Sequence, residues 1–314
     1  MLVVASANGQ VGITEAMRVL KDGGSAMDAV EAGVRLVESN PDDQTVGYSG
    51  LPNLLGEVEL DASVMDGLTL RAGAVGAVKN YEHAISLARK VMEELPHVLL
   101  VGSGAERFAR EMGFPERNLL TPEAEKVWRE IFAGGEVPSG YRGRMKYLDS
   151  IRRFAKLAVD PERPNETVNF IAVDAQGNLA AGVSTSGWAW KYPGRLGDSP
   201  VIGAGNYADN RYGAAACTGR GEMAIRLCTA HSVVMYLKMG MTAAEAGAQA
   251  IRDLAYLVDP YFGRVSIVAV DARGDHAAFS NAPDTTYVYM TDGMDTFVEA
   301  PRIHVPGGEE GRSV

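Results

Sequence analysis

Apolar residues recur along this chain in two rhythms. Where they return every three or four positions they predict helices: over 13–21 through Ala16, Met17, Val19 and Leu20, closing at Gly23-Gly24, and over 25–40 through Ala29, Val30, Gly33, Val34 and Val37. Ser25 is the expected N-cap of the second, with Asp28 as an acidic residue in its first turn. Further helices are predicted over 81–95, over 104–112, from Thr121-Pro122 onward, over 222–238, and over 242–257, where Thr242 and Glu245 have the spacing of a capping box. Where apolar residues alternate or form short runs they predict strands: 2–6, 57–66, 70–78, a buried strand at 97–101, then 212–217, 264–271, 276–280, 285–290 and 296–298. Residues 167–185 read as a hairpin around a turn at Ala175-Gln176-Gly177-Asn178.

Three stretches break both rhythms. Residues 43–56 and 188–205 are loops rich in glycine and, in the second, proline, either turns or places where backbone approaches a ligand. Residues 133–166 are polar and linker-like around one basic helix expected at 144–159. The apolar pattern resumes abruptly at Thr167. Helix pairs early and late, flanking two strand-rich layers, make a four-layer αββα sandwich of the α+β class the simplest arrangement. The hairpin and the closing strands ask for antiparallel pairing, which disfavours a doubly wound parallel sheet. One domain over 1–314 is expected, with no repeat and no low-complexity tract.

With 46% apolar residues, the 314-residue chain can bury a large core, and its net charge of -10 comes from interspersed acids and bases. Nucleic acid and anionic membranes are therefore poor candidates as partners, and a small molecule is a better one. No stretch approaches the roughly 20 apolar residues of a spanning helix, and the N-terminus has no basic, export-like segment, so a cytoplasmic protein is expected. Cys217 and Cys228 show no disulfide or metal-ligand spacing and read as two small buried hydrophobes.

No phosphate loop, GxSxG elbow or HExxH helix occurs, and His83, His97, His231, His276 and His304 are scattered singly. What stands out is four polar patches at strand ends or loops: Thr167, Ser184-Thr185, Arg195 with Asp198, and Thr218-Gly219. Each also has an ordinary explanation, as a strand threonine, a loop ion pair or a helix cap.

The segments GGSAMDAVEAGVRLVESNP, TVGYSGLPN, LDASVMDG, GAVGAVKN, ISLARKVMEELPHVLLVGSGAERFA and GRLGDSPVIGAGNYADN, followed by GAAACTGRGE, closely resemble the glycosylasparaginase and isoaspartyl peptidase/asparaginase family of N-terminal nucleophile hydrolases, over about residues 2–257. The resemblance implies that the precursor cuts itself between Glu166 and Thr167, giving fragments 1–166 and 167–314. The freed threonine then acts with its own amine, whose pKa of about 7.7 to 8.0 lets it take the hydroxyl proton near neutrality. By the same resemblance Thr185 supports the nucleophile, Arg195 binds the substrate α-carboxylate, Asp198 binds its α-ammonium, and Thr218 with the Gly219 N–H forms the oxyanion hole. No metal or cofactor is implied, and a homodimer of cleaved protomers is. The implied reaction is hydrolysis of the β-amide of an asparagine derivative with free α-groups, glycosylated asparagine first. The alternatives are asparagine or β-aspartyl peptides as substrates, or an uncleaved homologue that only binds a ligand.

The match has departures. Asn165-Glu166 stands where the family has His-Asp or His-Gly, and Asn169 where it has glycine. Ala7 falls where glycosylasparaginases carry a pocket tryptophan, and Ser49 and Asn53 replace a glycine and an aspartate expected near the pocket.

Overall fold

The chain enters as β1 (Leu2–Ser6), every residue of it buried, and turns through a short 3-10 segment into α1 (Ile13–Lys21). Ser25 then starts α2 (Ala26–Glu38): its hydroxyl accepts from the Asp28 N–H while the Asp28 carboxylate accepts from the Ser25 N–H, a full capping box. The structure, a computed structural model, describes residues 1–132, 167–259 and 263–306. The basic helix expected at 144–159 and the predicted cleavage partner Glu166 lie outside the described residues.

The remaining elements follow the two rhythms closely. They are β2 (Leu60–Asp66), β3 (Ala72–Val78), α3 (Ala84–Glu94), β4 (Leu99–Val101), α4 (Gly102–Glu111) and α5 (Pro122–Phe132), then the hairpin β5 (Val168–Val173) and β6 (Leu179–Thr185). After β7 (Asn206–Asp209) and β8 (Gly213–Gly219) come α6 (Gly221–Leu227), α7 (Thr229–Lys238) and α8 (Ala243–Asp253), and the chain closes with β9 (Val265–Asp271), β10 (His276–Ser280), β11 (Thr286–Thr291), β12 (Val298–Pro301) and β13 (Ile303–His304).

Two sheets face one another. The larger runs β12-β11-β1-β5-β6-β2-β3-β4 and the smaller β13-β10-β9-β8-β7. Val4, Ile171, Ala181 and Val183 of the first meet Ala214, Ala216, Val268 and Val270 of the second in a dry layer. The outer face of the large sheet buries α1, α2 and α3 through residues such as Met17, Val30, Ile85 and Phe170. The outer face of the small sheet buries α7 and α8 through Val233, Val234, Ile251 and Phe279. This is the expected αββα sandwich.

Three local expectations change. The helix predicted over 222–238 is two helices, because Cys228, exposed rather than buried as Cys217 is, adopts φ 47° and breaks the ladder between α6 and α7. The strand at 99–101 is a partly exposed edge rather than a buried strand, with Leu99 and Val101 43% and 50% exposed. The short β7, just beyond the loop expected at 188–205 and in a stretch with no predicted element, pairs antiparallel with β8.

Candidate active site

The hairpin register places Val168 opposite Ser184, so one residue further on Thr167 lies opposite Thr185, and Thr185 in turn pairs with Asp61 of β2. Three polar residues thus stand in a row at one end of three adjacent strands, close enough for their side chains to meet. Thr167 is 6% exposed and Thr185 4%. The Thr185 hydroxyl donates to the Thr45 carbonyl, a long contact of 3.4 Å, and accepts from the Gly187 N–H at 2.9 Å. It is fixed by the loops that wall the site.

Thr167, Thr185, Arg195, Asp198 and Gly219 all line one cavity, together with Trp188. The Arg195 guanidinium lies over the Trp188 ring at 4.5 Å and forks onto Glu222, Nε at 3.0 Å and Nη2 at 2.9 Å. Its Nη1 lies on the side of Gly187 and Gly197, both of which line the cavity. Asp198 is 3% exposed. Burial, reinforced by the nearby Glu222 and Asp61 and opposed by its own backbone N–H and Arg195, pushes its carboxyl up to about 7. Gly221 makes room for it, since a Cβ there would come within 2.8 Å of Asp198 Oδ1. A cation entering this cavity would relieve the cost of ionising Asp198.

Gly219 ends β8 at φ 106°, and a side chain there would collide with the Arg264 carbonyl at 2.2 Å. Amide directions alternate along a strand. The Arg220 N–H donates to Arg264 on the β9 side, and the Cys217 N–H donates to Gly205 on the β7 side. The Gly219 N–H therefore projects to the β7 side, where the loop carrying Asp198 lies. Thr218 lines a second cavity of about 130 Å³ that Thr167 also lines. The nucleophile candidate stands between two chambers, and every predicted site residue within the described part of the chain borders one of them.

The pairwise partners of these residues were not visible in the chain pattern. Lys191 is buried with its Nζ donating to the Glu59 carbonyl at 3.1 Å and lying 3.7 Å from Asp61 Oδ2. Burial pulls its pKa down despite both acids. Glu38, fully buried, accepts from Ser184 Oγ at 2.6 Å and the Ile85 N–H at 2.9 Å, with His83 Nδ1 3.5 Å away. Burial pushes its carboxyl up. Charged residues beside an apolar helix face or at the head of a helix, as Glu38 and Glu222 are, were the available signal.

The sequence departures resolve unevenly. Asn169 bridges to β1, its Oδ1 accepting from the Ser6 N–H at 2.9 Å and its own N–H donating to Ser6 Oγ. Asn53 accepts from the Leu55 and Glu57 N–H groups, a turn role, and Ser49 bonds Thr121. Neither lines the two cavities, whereas Ala7 lines the second. Among the described residues no cluster of His, Cys, Asp and Glu is placed to hold a metal ion, and no helix is long and apolar enough to cross a membrane.

The family model described as asparaginase matches residues 7–298. The chain is 41% identical over 270 residues to the N(4)-(β-N-acetylglucosaminyl)-L-asparaginase of Elizabethkingia miricola, covering 84% of this chain and 74% of that one. It is 42% identical over 274 residues to the plant-type L-asparaginase of Pyrococcus horikoshii, covering 87% and 85%. With the isoaspartyl peptidase/L-asparaginase of Mus musculus the identity is 38% over 268 residues, covering 84% and 75%. The chain, an αββα sandwich with its polar strand ends gathered around one threonine, belongs to the asparaginase family and is an amidohydrolase.

Proposed function

We propose that this amidohydrolase cuts its own chain between Glu166 and Thr167 and then uses Thr167 as an N-terminal nucleophile on the side-chain amide of asparagine derivatives. The observation that carries this reading is the convergence of Thr167, Thr185, Arg195, Asp198 and Gly219 on one cavity from three strands and a loop. The freed α-amine takes the Thr167 hydroxyl proton as Oγ attacks the amide carbon. The developing oxyanion is met by Thr218 and the Gly219 N–H. As the intermediate collapses the carbon–nitrogen bond breaks, the leaving amine takes the proton back, and water hydrolyses the resulting β-aspartyl ester. Asp198 holds the substrate α-ammonium and Arg195 the α-carboxylate, each by charge-assisted bonds. Both groups must be free, so an asparagine inside a polypeptide is not a substrate.

The fragments 1–166 and 167–314 stay together because their strands interleave: β5 and β6 of the second lie between β1 and β2 of the first. A dimer of such cleaved protomers, active in the cytoplasm, completes the reading, and light scattering gives its mass. Denaturing mass spectrometry tests the core of it. Two fragments meeting at Glu166/Thr167 are expected, with a single full-length, inactive chain for Thr167→Ala. Turnover by the uncut variant would refute the nucleophile.

A further inference from the structure

Two tryptophans stand two residues apart in the loop that leaves β6, and they are used differently. Trp190 is buried against Leu54 and Ala189, and its N–H donates to the Pro52 carbonyl at 2.9 Å. Trp188 is half-buried and lines the first cavity. Its backbone is tied down on both sides. Before it, the Ser186 N–H donates to the Thr45 carbonyl at 2.8 Å and the Gly187 N–H to the Thr185 hydroxyl at 2.9 Å. After it, the Leu54 N–H donates to the Lys191 carbonyl at 3.0 Å, and the buried Lys191 ammonium is anchored on the Glu59 carbonyl.

Two guanidinium groups share the Trp188 ring. The Arg195 Cζ lies 4.5 Å from its centroid and the Arg220 Cζ 4.6 Å, both within the range of a cation–π contact. Glu222 also touches both cations: it forks onto Arg195, and its Oε2 lies 3.9 Å from Arg220 Nη1. Arg195 is thus held by one carboxylate and one aromatic face, and the two respond differently to an arriving anion. An α-carboxylate at Arg195 competes with Glu222 for guanidinium N–H groups, whereas the ring face uses none of them. The displaced Glu222 still has Arg220 beside it. The stacking on Trp188 is the contact that Arg195 keeps through the exchange. Gly187 and Gly197 preserve room next to Arg195 Nη1, since a Cβ on either would come within 3.4 and 3.2 Å of that atom.

Resting on the assignment of the α-carboxylate to Arg195 above, we infer that Trp188 is a positioning residue for that recognition, holding the Arg195 guanidinium in the place where the carboxylate binds as Glu222 is displaced. A guanidinium already held in its bound orientation loses less freedom on binding, and that gain falls only on ligands with an α-carboxylate. A ring that merely filled space would serve charged and uncharged groups alike.

The test measures dissociation constants of the processed enzyme for L-aspartate and for L-isoasparagine, which carries a carboxamide in place of the α-carboxylate, together with kcat and KM for L-asparagine. Trp188→Leu keeps an apolar wall and removes the π face. It should weaken L-aspartate binding roughly three- to thirtyfold, raise KM for L-asparagine in parallel, and leave kcat and L-isoasparagine binding close to wild type. Trp188→Phe, with a smaller π face, should retain part of the preference for L-aspartate. Because that preference is a ratio taken within each variant, a lower yield of folded protein does not alter it, and the phenylalanine variant is informative even where leucine is not tolerated. Equal weakening of both ligands, a preference unchanged in both variants, or a loss in kcat with KM untouched would overturn the positioning role while leaving Arg195 as the α-carboxylate site. Equal binding of L-aspartate and L-isoasparagine by the wild-type enzyme would overturn that site itself, and the role of Trp188 with it.

Discussion

The two chambers flanking Thr167 hold their charged side chains by different means. On the Arg195 side the charges are internally compensated: Arg195 forks onto Glu222, and Asp198 sits so deep that its carboxyl holds its proton up to about pH 7. On the Arg302 side the guanidinium donates to the backbone carbonyls of Thr286 and Ile267. Under the proposed function the first chamber takes the zwitterionic end of the substrate, which brings both the cation and the anion needed to replace contacts already made. A buried charge recognises a partner strongly when the partner relieves an existing cost, and more weakly when it must displace an existing bond.

The largest break in this comparison comes from Gly219, which lines the first chamber while its neighbour Thr218 lines the second. Gly219→Ala places a methyl against the Arg264 carbonyl at 2.2 Å in a backbone conformation that L residues rarely adopt. The strand end must shift, and with it the proposed oxyanion donor. A fall in kcat of about 10²- to 10³-fold is expected, for every substrate alike, since the carbonyl is common to all. A loss confined to KM would place Gly219 outside the oxyanion hole. Asp198→Asn is expected to be milder and one-sided. It keeps shape and removes the charge that pairs the α-ammonium in the proposed function, so KM should rise about 10- to 100-fold with kcat little changed.

How much of this was legible depends on the distance over which each feature is decided. The capping boxes at Ser25 and Thr242 involve residues three apart, and both were readable. The break at Cys228 was not: Glu222 to Lys238 has continuous helical spacing, and only packing of α6 against the strand end forces the left-handed residue between them. The edge position of β4 was hidden for a similar reason, because an apolar run reads as buried whether or not a neighbour covers it. In the site, Thr167, Thr185, Arg195, Asp198 and Gly219 were named through a family resemblance that preserves their order, and the sheet register is what brings them together. Glu222 and Lys191 escaped notice because their roles exist only in pairs, with Arg195 and with Glu59 and Asp61, whose partners lie 27 to 132 residues away.

The smallest expected effect separates the chambers most cleanly, because only one of them titrates near neutrality. With the Asp198 carboxyl pushed up to about 7, the free enzyme at pH 6 holds a neutral acid where the α-ammonium must bind. For L-asparagine log kcat/KM should therefore climb more steeply below 7, where both Asp198 and the Thr167 amine must lose a proton, than between 7 and 8, where only the amine titrates. Asp198→Asn should remove the steeper part below 7 and leave the rise that belongs to the Thr167 amine. Stability moves the other way from substrate capture: between about pH 4 and 7 the folded protein holds a proton on Asp198 that the unfolded chain has released, so this group's contribution declines as pH rises through that window. Thermal denaturation at pH 5 and at pH 8 checks the sign. The wild-type chain should lose more stability than Asp198→Asn between the two, and binding of L-aspartate, whose ammonium supplies the missing counter-charge, should recover more of it at pH 8 than at pH 5.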